Sequence, residues 1–159
     1  MKLLVKKLNE NAITPTKAHE SDAGYDLYSP VDVVLEPGKP TKIPTGVALS
    51  LIDTVFDALY DVESGKSTEV WCPNTVGIIC DRSSMGSKGI KVMGGVCDSS
   101  YRGDVTVCLT NLTNQPYEIK SGDKIAQILF LPVLNPMIQE IDNLEETERG
   151  SKGFGSSGR

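Results

Sequence analysis

At 159 residues, 39% of them hydrophobic, the chain is long enough for one domain around a sizeable core. Its formal net charge of −5 excludes broad nucleic-acid binding, which needs a basic face to neutralise many phosphates. A few focused arginines and a divalent cation can still hold a single small polyanion inside one cleft.

The first segment, Met1 to Leu8, is interrupted by Lys2, Lys6 and Lys7. It therefore reads neither as a signal-peptide core nor as a membrane span, and the expected address is the cytoplasm, or the cytoplasm of a host cell. No membrane partner is expected. His19, the one histidine, falls in a predicted surface loop. Short apolar stretches then recur between turn signals: Val31 to Leu35, Ile43 to Leu51, Val76 to Cys80, Val105 to Leu109 and Ile125 to Val133. That rhythm predicts an all-β fold. Turns are predicted at Glu36-Pro37-Gly38-Lys39, Glu63-Ser64-Gly65-Lys66 and Lys120-Ser121-Gly122-Asp123. Nine prolines and fifteen glycines disfavour long helices, so Ser84 to Lys88 is expected to make at most about one helical turn.

Residues 53–74 read as a protruding hairpin, with Val55, Phe56, Leu59, Tyr60 and Val62 leading into the turn and Val70-Trp71-Cys72 returning. Its aromatics either serve an interface, which makes the hairpin a candidate contact for a regulatory protein, or Phe56 and Trp71 pack on each other across the strands. The four cysteines, Cys72, Cys80, Cys97 and Cys108, form no C-x-x-C pair and read as reduced core thiols. After Pro136 the composition changes. Residues 142–159 hold too few large hydrophobes to order alone, which divides the chain into a domain over 1–141 and an arm over 142–159. Arg149, Lys152, Phe154, Ser156 and Ser157 stand among glycines there, a composition able to wrap a phosphate chain and lay a ring on a base.

Several catalytic templates fail on their letters. Gly65-Lys66-Ser67 ends like a phosphate loop, but Tyr60 stands where its first glycine belongs. No Gly-x-Ser-x-Gly elbow is present, and the His-x-Glu signature of zinc nucleobase deaminases is missing. The loop Gly95-Val96-Cys97-Asp98-Ser99-Ser100-Tyr101-Arg102-Gly103 places one carboxylate and one ring between two apolar strands. Asp98 fits either a general base beside a water or a plain turn residue. Arg82-Ser83-Ser84, with loop amides near Gly86, can supply charge and donors to phosphates or can form an ordinary surface turn.

Five segments occur in one order: Ala23 to Leu27, Arg82 to Gly86, Gly95 to Gly103, Gly122 to Gln127, and Arg149 to Gly158. Together they resemble the five motifs of the trimeric all-β deoxyuridine triphosphatase (dUTPase) family. The resemblance implies a jelly-roll-like homotrimer with shared active sites that hydrolyses dUTP to dUMP and pyrophosphate with Mg2+. This limits uracil in DNA and supplies dUMP for thymidylate synthesis. It makes Asp98 the base, with the backbone of Gly95, Val96 and Cys97 reading uracil and Tyr101 lying beneath the deoxyribose. It assigns Arg82, Ser83, Ser84, Gly86 and Gln127 to the phosphates. Asp26 is placed near magnesium, directly or through water. From the arm, Arg149 and Ser156 would grip the γ-phosphate and Phe154 would stack on uracil, with Gly155 and Ser157 beside them. Departures from the family pattern are Asp81 in place of proline, Lys152 in place of glycine, and Cys97 in place of isoleucine or valine. Asp81 is expected either to pair with Arg82 and weaken its phosphate contact or to fix its orientation. The rivals are the related dCTP deaminase branch and a regulatory protein that keeps the nucleotide pocket as a switch.

Overall fold

The computed structural model describes residues 2–52, 55–61, 66–71, 75–151 and 153, with the backbone alone for 51–52, 55–61 and 66–71. Every strand pair is antiparallel. A four-stranded sheet runs in the order β10 (Val96–Cys97), β8 (Thr75–Cys80), β13 (Lys124–Pro132), β2 (Tyr25–Tyr28). A three-stranded sheet holds β4 (Thr41–Pro44), β11 (Thr106–Asn111) and β9 (Ile90–Val92). Three two-stranded pairs complete the frame: β1 (Lys2–Lys7) with β5 (Val47–Ile52), β3 (Val33–Leu35) with β12 (Tyr117–Ile119), and β6 (Val55–Asp61) with β7 (Lys66–Trp71). The fold is all-β, as the strand rhythm predicts, and jelly-roll-like, as the family resemblance implies. Helix is confined to the single turn α1 (Ser83–Gly86) among the described residues.

One core joins these sheets. Leu27, Leu35, Ile43, Val107, Leu109, Ile119, Ile125 and Ile128 are all essentially inaccessible, and they come from six different strands. Burial of this kind is what stabilises a sheet whose other face meets water. Asn111 is the largest of the fully buried polar side chains among the described residues. Its amide donates to the carbonyls of Leu35 (2.9 Å) and Gln115 (2.7 Å), and its oxygen accepts from the Thr113 amide and hydroxyl, so the polar group is compensated.

The apolar run Ile43 to Leu51 is not one strand. It breaks at Thr45-Gly46: β4 pairs with β11 while β5 pairs with β1, so the run serves two sheets. The buried Thr45 hydroxyl donates to the Val105 carbonyl (2.7 Å) and the Gly46 amide donates to Asp104 Oδ1 (2.9 Å), which holds the break in place. Hydrophobic periodicity cannot register such a change of partner. The hairpin pairs Val55 with Trp71 and Phe56 with Val70, so Phe56 and Trp71 do not oppose each other. The turn residues 62–65, Cys72 and the side chains of the hairpin lie outside the described residues, and with them its expected interface role. Cys80, Cys97 and Cys108 are free thiols and only half-buried, less deeply set than core thiols. His19 lies exposed in a bend, where it was expected.

Candidate active site

Asp26, on β2, is held by two cations. Arg82 Nε donates to its Oδ1 at 2.8 Å and Lys124 Nζ reaches its Oδ2 at 2.7 Å, while the carboxylate side chain is only 14% exposed. Arg82 also donates through Nη1 to Ser84 Oγ (3.1 Å) and to the Lys124 carbonyl (3.3 Å), so its guanidinium is fixed on three sides. A charged group gripped this way is pre-organised for an anion and loses little freedom on binding one. Asp26 raises the pKa of Lys124 through their hydrogen bond, so the ammonium stays charged. Lys124 is a site residue that the motif pattern did not single out. Its position beside Asp123 and Ile125, at the head of a strand, looks like an ordinary exposed strand start.

Gln127, three residues further along β13, donates from Nε2 to the carbonyl of Asp81 (2.8 Å). Gly24 is glycine for its sake: a Cβ there would lie 2.6 Å from Gln127 Oε1. A cavity of about 290 Å³ is lined by Asp22, Gly24, Asp26, Arg82, Ser83, Lys124 and Gln127 among others. Thus the structure brings the expected phosphate residues Arg82, Ser83 and Gln127 together with Asp26. Ser84 lines an adjoining cavity of about 380 Å³ with Lys88 and Tyr117, sharing Arg82 and Lys124 with the first. The amides of Met85 and Gly86 are not available as donors to phosphate, because both are taken by the Arg82 carbonyl within α1 (2.9 Å each). Asp81 does not pair with Arg82 either. Its carboxylate goes to Lys91 and to the Val92 amide on β9.

The second half of the site is the loop after β10. The Tyr101 amide donates to the Asp98 carbonyl (3.0 Å) and closes a turn, which Arg102 braces by donating to the carbonyls of Ser99 (2.5 Å) and Tyr101 (2.9 Å). The Tyr101 hydroxyl donates to the Asp104 carbonyl (3.0 Å), and the ring is 47% exposed. It is therefore not the core residue that Val96 and Val105 as neighbours would suggest. Asp98 is exposed, and among the described residues none donates a hydrogen bond to its carboxylate. A cavity of about 230 Å³ is lined by Ile79, Val96, Cys97, Asp98, Tyr101, Asp104, Val105 and Thr106. That is below the ~300 Å³ at which drug-sized pockets begin, and fits a base with its sugar better than a whole nucleotide.

β10 is the terminal strand of its sheet, so one backbone edge of this strand is unpaired among the described residues and can meet a ligand's hydrogen-bonding edge. Gly95 is glycine for contact with β8: a Cβ would lie 2.5 Å from the Ile79 carbonyl oxygen, and the Gly95 carbonyl is used by the Ile79 amide (2.7 Å). Its carbonyl thus supports the sheet, and since backbone groups alternate in direction along a strand, the amide and carbonyl of Val96 face the open edge while those of Cys97 face β8. Burial first, then the negative charge of Asp98, pushes the Cys97 thiol up in pKa, so it stays protonated beside the carboxylate. Arg102 and Asp104 were not singled out from the sequence. Their contribution is to loop geometry, which only partner assignment reveals.

The cavity at Asp98 and the cavity at Asp26 share no lining residue. One chain therefore does not bring Asp98 and Arg82 onto a single cleft. Arg149 sits in the exposed turn at the end of the described arm, where the Gly150 amide donates to the Thr147 carbonyl (3.0 Å). Lys152, Phe154, Gly155, Ser156 and Ser157 lie outside the described residues.

An all-β frame with a cationic cleft on one side and a carboxylate loop on the other defines a nucleotide-binding class, and comparison makes the class specific. The dUTPase family model matches residues 10–67 and 61–158, and the chain belongs to the dUTPase family. It is an enzyme of that family, a dUTP diphosphatase. A deoxyuridine 5'-triphosphate nucleotidohydrolase of Nautilia profundicola is 38% identical, covering all of both chains. A mutant of the Staphylococcus bacteriophage 80alpha dUTPase, solved with dUpNHpp, is 29% identical and superposes with a TM-score of 0.80, covering 99% of each chain. A dUTPase mutant from phage phi11 of S. aureus, described with a structural Mg(II) ion, is 26% identical with a TM-score of 0.73 over 92% of this chain and 100% of that one.

Proposed function

We propose that the protein hydrolyses dUTP to dUMP and pyrophosphate by attack of an Asp98-activated water on the α-phosphorus. Asp98 takes a proton from the water as its oxygen bonds to phosphorus. The bond from that phosphorus to the bridging oxygen breaks and pyrophosphate leaves. The supporting observation is that Asp98 is exposed at the mouth of the base-sized cavity with its acceptor oxygens open among the described residues. The unpaired edge at Val96 then matches uracil, since the cytosine amino group would set donor against donor. The Tyr101 face beneath the sugar leaves no room for a 2′-hydroxyl. Arg82, Ser83, Ser84 and Gln127 bind the triphosphate.

Because these two groups line separate cavities, a complete site needs the Asp98 face of one copy against the Arg82 face of another, which supports a homotrimer with shared sites. The arm, residues 142–159, closes over it, with Arg149 and Ser156 on the γ-phosphate, Phe154 on the base, and Gly155 and Ser157 allowing the close approach. Closure excludes water from the reacting centre.

No three acidic, histidine or cysteine side chains converge among the described residues, so the chain offers magnesium no cage of its own. The donor set fits an ion carried in by the triphosphate, with Asp26 accepting from its waters through the lone pairs that Arg82 and Lys124 leave. Bound there, magnesium would offset charge on the phosphate oxygens.

The test is release of pyrophosphate from dUTP, dCTP, dTTP and UTP, assayed beside ammonia release from dCTP. Pyrophosphate from dUTP alone is expected. Comparable turnover of UTP would overturn the sugar and base assignments, and ammonia from dCTP would move the protein to the deaminase branch.

A further inference from the structure

Asp81 stands between β8 and Arg82, at a position where the family pattern expects a residue with no side-chain charge. In this chain its carboxylate spans to a different sheet. Oδ1 accepts the Val92 amide at 2.6 Å and Oδ2 pairs with Lys91 Nζ. β9 is the terminal strand of its sheet, and the next amide, Met93, points inward to the Cys108 carbonyl (2.8 Å). Successive amides alternate in direction along a strand, so the Val92 amide faces the open edge, where Asp81 satisfies it in place of another strand. The same residue's carbonyl receives Gln127 Nε2 at 2.8 Å, and its own chain runs directly into Arg82. Asp81 therefore ties the edge of one sheet to the two phosphate-side residues of the other.

We propose that Asp81 is a positioning residue for the triphosphate: by capping the open edge of β9 it holds the carbonyl that orients Gln127 and the backbone that launches Arg82. Proline could supply neither the cap nor the ion pair. The inference rests on the assignment of Arg82 and Gln127 to the phosphates. Asp81 and Lys91 are 25% and 55% exposed, so the pair is partly screened and its role is geometric more than energetic.

The experiment compares the full-length Asp81→Ala, Asp81→Asn and Lys91→Met variants for dUTP turnover and for binding of dUpNHpp and of deoxyuridine, which has no phosphates. Asp81→Ala is expected to lower kcat/KM for dUTP and dUpNHpp affinity about tenfold while deoxyuridine affinity is unchanged. Asp81→Asn keeps an oxygen for Val92 and is expected to lose about two- to fivefold, a loss that vanishes in the Lys91→Met background. A merely structural residue would lower the melting temperature without moving the ratio of the two affinities, and that result overturns the proposal. If Asp81→Ala fails to fold, the Asn and Met pair decides the matter in the same way. Arg82→Ala and Gln127→Ala run alongside keep the two readings apart. Full activity in both removes the phosphate assignment itself, whereas their loss with an unaffected Asp81 series removes only the positioning role.

Discussion

Asp26 and Asp98 are both acidic residues in the sequence segments that carry chemistry, yet the fold treats them oppositely. Asp26 is nearly enclosed, with Arg82 on one oxygen and Lys124 on the other. Asp98 stands exposed on a loop held by its backbone and by Arg102, with no donor on its carboxylate among the described residues. A carboxylate with a cation seated on each oxygen is a good anchor. One with open lone pairs can take a proton from water. Under the proposed function, the cationic cleft anchors the substrate and the loop takes the proton.

The sharpest way to break that contrast is to neutralise each acid in turn. Asp98→Asn should lower turnover about 100- to 10,000-fold, the range for positioned acid–base catalysis. Its stability should stay within about 0.5 kcal/mol of the parent, as expected for an exposed group without partners. Turnover followed by pyrophosphate release, with unfolding by urea, checks both halves, and unchanged turnover removes Asp98 from the reaction. Asp26→Asn should show the reverse balance. Leaving Arg82 and Lys124 without their shared counter-charge is expected to cost about 1–3 kcal/mol of stability. Misplacing the guanidinium should slow turnover by up to about 100-fold. A stable Asp26→Asn with only its turnover reduced would instead make Asp26 a direct participant.

The smallest effect expected is on acid stability. Burial acts to raise the pKa of Asp81, but the Lys91 hydrogen bond, the Val92 amide and the Lys91 charge together overcome it and hold the value below the ordinary 3.8. A depressed carboxylate pKa contributes stability above the unfolded value that is lost as pH falls through the folded one. The parent should therefore lose stability relative to Asp81→Asn on acidification below about pH 4. Parallel urea titrations of the two proteins across that range test it, and identical acid limbs would show that the pair contributes nothing measurable.

Much of this was legible in the letters. The all-β rhythm, the turns at Glu36 to Lys39 and Lys120 to Asp123, and the brief helix near Ser84 all depend on neighbours a few positions apart. That Arg82, Ser83 and Gln127 would come together followed from the resemblance of the five ordered segments to a family, and the structure lines one cavity with all three. Lys124, Arg102 and Asp104 escaped notice because each resembles a routine strand or turn residue until its partner is known. The Ile43 to Leu51 run misled for a related reason, since apolar alternation is the same whether one sheet or two receive it.

By itself, then, the sequence determined which local conformations the backbone prefers, because period and turn propensity act over a few residues. Only the tertiary structure decided that Asp26 is bound by a guanidinium 56 residues away and that Gln127 hangs on a carbonyl 46 residues back. It also decided that Asp81 caps a strand instead of pairing with Arg82, and that the two halves of the site line different cavities. Those outcomes follow from sheet order and register, which set the spatial neighbours of a side chain independently of its neighbours along the chain.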